Sequence, residues 1–289
     1  MIVTLDVFSG RPNPSWTLSD KDKRELISRV ASKAVSAVHE NEGHLGFRGY
    51  IVSMASDDDE TAAAAGLPDT FRITSGSLGG IVPDHEQLVQ PLSTEEVGDA
   101  QKWLLTTAAG QVDDPVLEHV ASQISGASEM QTPPDAQIAS AAAACVIHNT
   151  PYNPGFWNVP NVQPYNNCYN YAMNYRSNTF AQPGRISGHP NNVMQCANVA
   201  SAANWDGCRA TCSGPNKNVA LVIWPGNDYH WYRLHSNGFW GHKPGGTAAR
   251  NWDSLNRIIG GNLNPQNCAR GPYTIFCGYR FSPVGMHVN

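Results

Sequence analysis

The sequence predicts an α+β protein in two parts, and three observations predict it. Residues 1–130 carry 9 basic and 20 acidic side chains, a net charge of −11, whereas residues 131–289 carry 10 basic and 4 acidic ones, a net charge of +6. All seven cysteines and six of the eight tryptophans lie after residue 130. Both parts contain helical and alternating strand patterns, and a chain of 289 residues is long enough for two domains.

A Pro-Pro step marks the division between the two parts. Residues 131–135 have the sequence QTPPD, and prolines of this kind interrupt regular secondary structure. The predicted linker therefore covers residues 128–135. It separates a small acidic α+β module at 1–130 from a second domain at 131–289.

The acidic module is expected to begin with a strand at residues 2–8, where apolar and polar residues alternate. Apolar residues at helical spacing then predict a helix from Ser19 or Asp20 to about residue 38. The other predicted elements are strands at 47–54 and 70–74 and helices at 94–109 and 115–124. The acidic run at 57–60 is expected to be a solvated loop. Substrate selection, inhibition of the second domain and partner binding all stay open as roles of this module.

Three antiparallel strands are predicted in the second domain, from an apolar run, a Pro-Gly turn and an alternating segment. They lie at 219–224, at 229–234 and after a bend at 236–238. In a hairpin centred near residue 236, His230 and His242 fall close together on the same face. His235, at the bend, is expected to be exposed.

Cys168 stands where a helix is predicted to begin. Asn166 or Asn167 can cap that helix. Its inner face is predicted to carry Tyr169, Ala172 and Met173. A thiol in the first helical turn lies near the positive end of the helix dipole, which lowers the pKa of the thiol and favours the thiolate. The sequence therefore predicts a reactive cysteine at this position.

A cysteine at a helix start and a histidine on a strand packed against that helix resemble the papain-like cysteine peptidases, and more narrowly their NlpC-like and amidase-like branches. The resemblance rests on NCYNYA at 167–172, YHWYR at 229–233 and GFWGHKPG at 238–245, within a match over about residues 149–281. It implies a papain-like helix packed on an antiparallel sheet. In such enzymes the histidine accepts the thiol proton and later protonates the leaving amine.

The resemblance implies a role for each of five residues. Cys168 is the expected nucleophile and His230 the base and then the acid. Two candidates for orienting the imidazole stay open: His242, twelve residues after His230, and Asp253, whose carboxylate would stabilise an imidazolium directly. Gln163 is the expected oxyanion-hole donor, together with the backbone N–H of Cys168. Alternative side-chain donors are Asn166 and Asn167. Aromatic residues expected near the cleft are Trp157, Trp231, Trp240 and Trp252.

The seven cysteines fit one free nucleophile and six that are able to pair. Three of them lie close in sequence at 196–212, and Cys268 is close to Cys277, so local disulfides are expected in an oxidising compartment and plain thiols in a reducing one. A zinc site is the alternative. Its ligands would be Cys196, Cys208, Cys212 and His189. The paired short spacings of a zinc module are missing from the sequence, so no metal is predicted.

The predicted function is a cysteine-dependent amide or peptide hydrolase that acts on a peptide or protein through a thioacyl-enzyme intermediate, without a cofactor. Two alternatives stay open. The same Cys-His pair is able to serve an acyltransferase, either a transpeptidase or a transglutaminase. A non-enzymatic toxin or binding module on a degenerate peptidase fold is the other alternative.

Other functional classes find no support in the sequence. The longest uncharged apolar-leaning stretch, 136–146, is shorter than the roughly 20 residues of a membrane-spanning helix. No basic stripe interleaved with aromatic residues predicts nucleic-acid binding, and serine-hydrolase and nucleotide-binding motifs are missing. The first residues lack the features of a secretory signal, so the expected location is the cytoplasm, or the exterior by a non-classical route.

Overall fold

The computed structural model describes residues 1–30, 44–55, 67–73, 94–126 and 146–289. It is a mixed α+β structure with two sheets, as the sequence predicts. Contacts between Cα atoms divide the chain into two units. Unit 1 comprises Met1–Val7, Asn13–Glu42 and Phe47–Glu129, and unit 2 comprises Phe8–Pro12, Gly43–Gly46 and Met130–Asn289. In the described part of the chain, no helix has both the length and the apolar character needed to cross a bilayer.

Unit 1 contains an antiparallel sheet with the strand order β2-β1-β3-β4. The strands are β1 (Ile2–Asp6), β2 (Ser15–Thr17), β3 (Gly49–Ser53) and β4 (Thr70–Ile73). The helices described in this unit are α1 (Asp20–Val30), α2 (Thr94–Thr107) and α3 (Asp114–Ile124). The sequence analysis did not identify β2; the other elements confirm the predicted ones to within a few residues at each described end. The end of the first predicted helix, the acidic run at 57–60 and the linker at 128–135 lie outside the described residues.

The sheet of unit 2 is built around β6 (Pro215–Trp224). This strand pairs in antiparallel fashion with β7 (Asp228–Leu234) and β9 (Ile275–Pro283), and its start pairs in parallel with β5 (Val146–Ile147). β7 also pairs with β8 (Trp240–His242). The three predicted strands are confirmed. The sequence analysis did not identify β9, which carries no simple alternation of apolar and polar residues.

Two helices of unit 2 pack on this sheet, α4 (Cys168–Met173) against β7 and α5 (Cys196–Asp206) against β6 and β9. The side chains that α4 buries include the predicted inner face. They are Cys168, Tyr169, Ala172 and Met173. Their partners from the sheet include Val219, Leu221, Ile223, Tyr229 and Trp231. Removing these apolar side chains from water stabilises the packing of the helix on the sheet.

A disulfide joins Cys196 at the start of α5 to Cys277 in β9. The expectation of local disulfides is wrong for this pair, because the two residues are 81 positions apart and meet only where β9 returns beside β6. Because Cys196 is in a disulfide, it is not available as a ligand of the alternative zinc site. Among the described residues, no group of three or more His, Cys, Asp or Glu side chains is arranged to hold a metal ion.

Candidate active site

Cys168 is the first residue of α4, as predicted, and Asn167 caps the helix. The Asn167 side-chain oxygen accepts the backbone N–H groups of Tyr169 and Asn170 at 3.0 and 3.1 Å, and Asn170 Oδ1 accepts the Asn167 N–H at 3.2 Å. This reciprocal cap satisfies donors that the first turn of a helix leaves without partners.

The Cys168 thiol is fully buried and packs against β7. Its Sγ lies 3.9 Å from the carbonyl oxygen of Tyr229, and the backbone of Trp231 also interacts with the sulfur. These two peptide groups flank His230 in the sequence. The sulfur therefore lies against the backbone of the strand segment that carries the predicted base.

The pKa of Cys168 is raised well above its ordinary value because the thiol is buried, and the Asp228 carboxylate adds to this effect. The prediction that the helix dipole lowers this pKa is wrong. α4 has only six residues, and the dipole of so short a helix does not compensate for removing a thiolate from water. The resting thiol is therefore neutral at pH 7.

His230 and His242 meet on the sheet, as predicted. Tyr232 pairs with His242 across β7 and β8, which places both histidines on one face of the sheet. His230 Nε2 lies 2.8 Å from His242 Nδ1, and His242 Nε2 lies 2.7 Å from the carbonyl oxygen of Trp252. Both imidazoles are buried. The result is a chain of hydrogen bonds from His230 through His242 to a backbone carbonyl.

The Trp252 carbonyl determines which nitrogen of each ring carries the proton. A carbonyl oxygen only accepts hydrogen bonds, so His242 Nε2 donates to it. Burial lowers the pKa of His242 to about 3, which keeps that ring neutral at pH 7 and makes its Nδ1 an acceptor. His230 Nε2 then donates to His242. In the neutral His230 ring the basic lone pair is consequently on Nδ1.

The structure does not join His230 to Cys168 by a hydrogen bond. Side chains alternate along a strand, and Tyr229 and Trp231 pack in the same cluster as Cys168. The His230 ring instead contacts Tyr232 on the other face, with ring centroids 4.8 Å apart. The thiol has the Tyr229 carbonyl as its acceptor. Direct proton transfer from sulfur to imidazole therefore requires a movement of one of the two side chains.

Asp253 forms no hydrogen bond with His230. Its carboxylate accepts backbone N–H groups of Leu255, Arg257 and Ala269. It also pairs with the Arg257 guanidinium at 2.7 Å. Burial by itself raises the pKa of this carboxyl, but these hydrogen bonds hold it below the ordinary value. Of the two candidates for orienting His230, the structure thus pairs His242 with it and uses Asp253 to hold the adjacent turn.

Gln163 begins a short 3-10 helix (Gln163–Tyr165) just before α4. Its side-chain Oε1 is buried without a hydrogen-bond partner among the described residues. The two alternative oxyanion-hole donors already have hydrogen-bond acceptors for their side-chain amides. Asn166 donates to the Val162 carbonyl, and Asn167 donates to the Gly10 carbonyl. Gln163 does not bond to Cys168, so its oxyanion role stays a prediction.

An N-terminal segment that the sequence analysis missed, Phe8–Pro12, belongs to unit 2. The Asp228 carboxylate at the start of β7 accepts three successive backbone N–H groups of this segment, at 2.6, 3.0 and 2.9 Å. These groups belong to Ser9, Gly10 and Arg11. Burial raises the pKa of Asp228. The predicted division of the chain assigned residues 8–12 to the acidic module, because no local pattern indicates a contact with a carboxylate more than 200 positions away.

This segment lies directly beside the thiol. The Ser9 hydroxyl donates to the Tyr229 carbonyl at 3.4 Å, and the same oxygen accepts from the Cys168 thiol. Asn167, the residue before Cys168, donates to the Gly10 carbonyl at 2.8 Å. The segment therefore contributes to the complete burial of Cys168.

His235 is buried, and the prediction that it is exposed is wrong. The bend between β7 and β8 turns the ring toward α4, where Tyr171 Oη lies 2.7 Å from His235 Nε2. On the other side, His235 Nδ1 lies 3.2 Å from the Thr150 carbonyl oxygen. Burial, together with the nearby Arg233 charge, lowers the pKa of His235 to about 4.

The four tryptophans predicted near a cleft differ in exposure. Trp157 and Trp231 are core residues, and Trp240 is almost fully buried. Trp252 is 47% exposed while its carbonyl binds His242. Trp252 is thus the member of this group that lies both at the surface and beside the histidine pair.

Comparison with known proteins identifies a relative that matches about half of the chain. No family model and no solved structure matches it. Insoluble matrix shell protein 1 of Ruditapes philippinarum is 46% identical to it over 139 residues, a match that covers 47% of this chain and 92% of that protein. At this identity and coverage, the chain belongs to the family of insoluble matrix shell protein 1.

Proposed function

We propose that unit 2 is a papain-like, NlpC-related cysteine hydrolase that cleaves an amide bond of a peptide or protein. The observation that carries the proposal is the chain of hydrogen bonds from His230 through His242 to the Trp252 carbonyl. It puts the basic lone pair of His230 on Nδ1 and fixes the ring, which a general base requires. The candidate nucleophile, Cys168, packs against the backbone of the same strand.

The proposed reaction begins with a movement of Cys168 and the start of α4, because the thiol packs on the face of β7 opposite to the His230 ring, which His242 holds in place. His230 Nδ1 then accepts the thiol proton while Cys168 Sγ attacks the amide carbon. The S–C bond forms, and the oxyanion accepts hydrogen bonds from the Cys168 backbone N–H and the Gln163 side chain. The C–N bond then breaks as His230 returns the proton to the leaving amine. Water, deprotonated by His230, hydrolyses the thioester and restores the thiol. His242 holds the His230 ring throughout.

The buried, neutral thiol sets two conditions on this mechanism. Proton transfer must accompany attack, because a thiolate is not populated beforehand at pH 7. Substrate access also requires the N-terminal segment or the start of α4 to move, since Cys168 is fully buried. Both conditions predict slow labelling of the resting protein by small electrophiles and faster labelling by peptide-like ones.

A peptide vinyl sulfone tests the proposal, because it captures a cysteine nucleophile and carries an amide backbone. The expected result is labelling of Cys168, found by peptide mass spectrometry and reduced about 100-fold or more in His230→Ala. Cys208→Ala is the matched control, since Cys208 is a second free cysteine of the same core cluster. Equal labelling of Cys168 and Cys208, or labelling of Cys168 that is unchanged in a folded His230→Ala variant, would contradict the proposal.

The second candidate is a non-enzymatic matrix component built on the same fold. It is favoured by the complete burial of Cys168 and by the relative, which is named a shell matrix protein. It predicts that peptide mixtures incubated with wild type and with Cys168→Ala give the same products. Adding a primary amine to the same incubation separates hydrolysis from acyl transfer, because only acyl transfer yields a new amide.

A further inference from the structure

We infer that Lys243 is a positioning residue of the candidate site: its buried ammonium ties the backbone before Cys168 to the strand end that carries His242. Its catalytic meaning rests on the proposed function, whereas the contacts and the charge effect do not. Lys243 follows His242 directly in the sequence and is fully buried.

The ammonium of Lys243 donates to three backbone carbonyls. They belong to Gln163 at 2.6 Å, Asn166 at 2.5 Å and Gly245 at 2.8 Å. An ammonium has three N–H donors, and each of them finds an acceptor here. A neutral amine has two donors and would leave one of these carbonyls without its partner, which is costly in a buried site. The surroundings therefore hold Lys243 in its charged form.

The positions of these carbonyls link two parts of the site. Gln163 and Asn166 enclose the short turn that leads into the helix cap and Cys168. Lys243 leaves β8 immediately after the histidine that holds His230. A single side chain therefore couples the entry of α4 to the end of β8, so that a shift at one end is transmitted to the other.

The charge of Lys243 acts on the sulfur in the direction that catalysis needs. Burial dominates the raised pKa of Cys168, and Asp228 adds to it, but the Lys243 ammonium opposes both. A nearby cation stabilises the charged form of a thiol. Removing this charge without unfolding the protein should therefore lower the thiolate fraction of Cys168 further at every pH below its pKa.

The test is the rate at which iodoacetamide alkylates each cysteine between pH 7 and 10, resolved by peptide mass spectrometry. Lys243→Met removes the charge and all donors, and Lys243→Gln removes the charge but keeps an amide donor. Lys243→Gln should slow alkylation of Cys168 about tenfold for each unit by which its pKa rises. Lys243→Met also removes the tie and should alkylate faster than Lys243→Gln. The rate at Cys208 should not change.

Lys217→Met is the matched control. Lys217 is also buried, but its Nζ donates to the Pro283 carbonyl, and its charge acts on Cys208. This variant should slow alkylation at Cys208 and leave Cys168 unchanged. Faster alkylation of Cys168 in Lys243→Gln, or unchanged alkylation in both Lys243 variants, would overturn the inference. Lys243→Gln keeps an amide donor for the turn, so faster labelling there would mean that the lost charge has no effect, and unchanged labelling in both would mean that Lys243 holds nothing beside the thiol.

If both Lys243 variants fail to fold, nitrogen-15 lysine NMR of the wild type tests whether the three carbonyls hold the Lys243 ammonium. An ammonium held by three carbonyls should give a slowly exchanging Nζ signal that persists at pH 8, and its absence would overturn the inference. Different results would contradict the proposed hydrolase function and the inference about Lys243. Turnover that survives Cys168→Ala ends the hydrolase proposal alone, whereas normal alkylation in folded Lys243 variants ends only the role of Lys243.

Discussion

At the scale of single residues, His242 and His235 are held neutral by burial. His242 and His235 each use both ring nitrogens in hydrogen bonds with neutral partners, and neither ring reaches solvent. Protonating either ring would put a second donor on a nitrogen that now accepts. The folded protein therefore resists protonation at these two positions.

This resistance predicts loss of stability in mild acid. The folded pKa is about 3 for His242 and about 4 for His235, against an ordinary value of 6.5. Below about pH 6.5 the unfolded chain binds more protons than the folded one, so the free energy of unfolding falls as the pH falls, until the folded pKa is reached. Each histidine lowers the free energy of unfolding by at most about 1.4 kcal/mol for each unit by which the pH falls in this range.

Urea unfolding of unit 2, followed by tryptophan fluorescence at pH 7, 6 and 5, measures this slope. The variant His242→Gln should unfold with a flatter dependence on pH than wild type, because one of the two contributing rings is gone. A slope equal to that of wild type would show that His242 is not the titrating group. His189→Gln is the control, since that ring is exposed.

At the scale of elements, the N-terminal segment fits closely against β7 beside the thiol. Gly10 lies so close to Tyr229 that a Cβ built on it would be 2.5 Å from the Tyr229 carbonyl oxygen and from its ring. Any other residue at this position must push the segment away from β7. The same carbonyl accepts from the Cys168 thiol, so the displacement would open the surroundings of the sulfur.

Gly10→Ala should therefore speed alkylation of Cys168 by iodoacetamide while lowering the melting temperature. Overpacking of this kind costs about 1–3 kcal/mol, and each 1.4 kcal/mol taken from the local opening free energy raises the labelling rate about tenfold. Gly155→Ala is the control, because a Cβ there meets only an ordinary contact at 3.7 Å. A lower melting temperature with an unchanged Cys168 rate would mean that the segment does not cover the thiol.

At the scale of the whole molecule, the Cys196–Cys277 disulfide closes a long loop that contains α5, β6, β7 and β8. Cross-linking residues 81 positions apart restricts the unfolded chain more than a local disulfide does. The bridge also holds the start of α5 to β9, next to the core cluster of unit 2. Its removal is expected to weaken that unit as a whole.

The double variant Cys196→Ala and Cys277→Ala should lose about 2–4 kcal/mol in the free energy of unfolding, measured in urea. Cys208→Ala removes a buried cysteine of the same cluster that is not in a disulfide, and it separates the loss of packing from the loss of the cross-link. Equal destabilisation in the two proteins would show that the disulfide adds nothing beyond packing.

The local parts of this protein were predictable from the sequence because their causes are local. Capping by Asn167 and the start of α4 at Cys168 depend on residues within one turn. The hairpin that brings His230 to His242 depends on the thirteen consecutive residues 230–242 and a two-residue periodicity. The buried strand β6 depends on a continuous apolar run. In each case the deciding interactions join residues close together in the chain.

Tertiary structure decided the rest, because burial and long-range contacts are not properties of a short window. The pKa of Cys168 rises since the fold removes the thiol from water, which outweighs a six-residue helix. The ammonium of Lys243 meets the Gln163 carbonyl, and Asp228 binds the segment around Ser9, only when distant parts of the chain have folded together. The sequence by itself thus determined which residues are able to perform the chemistry, whereas the packed structure determined which of them touch, which are charged and which are covered.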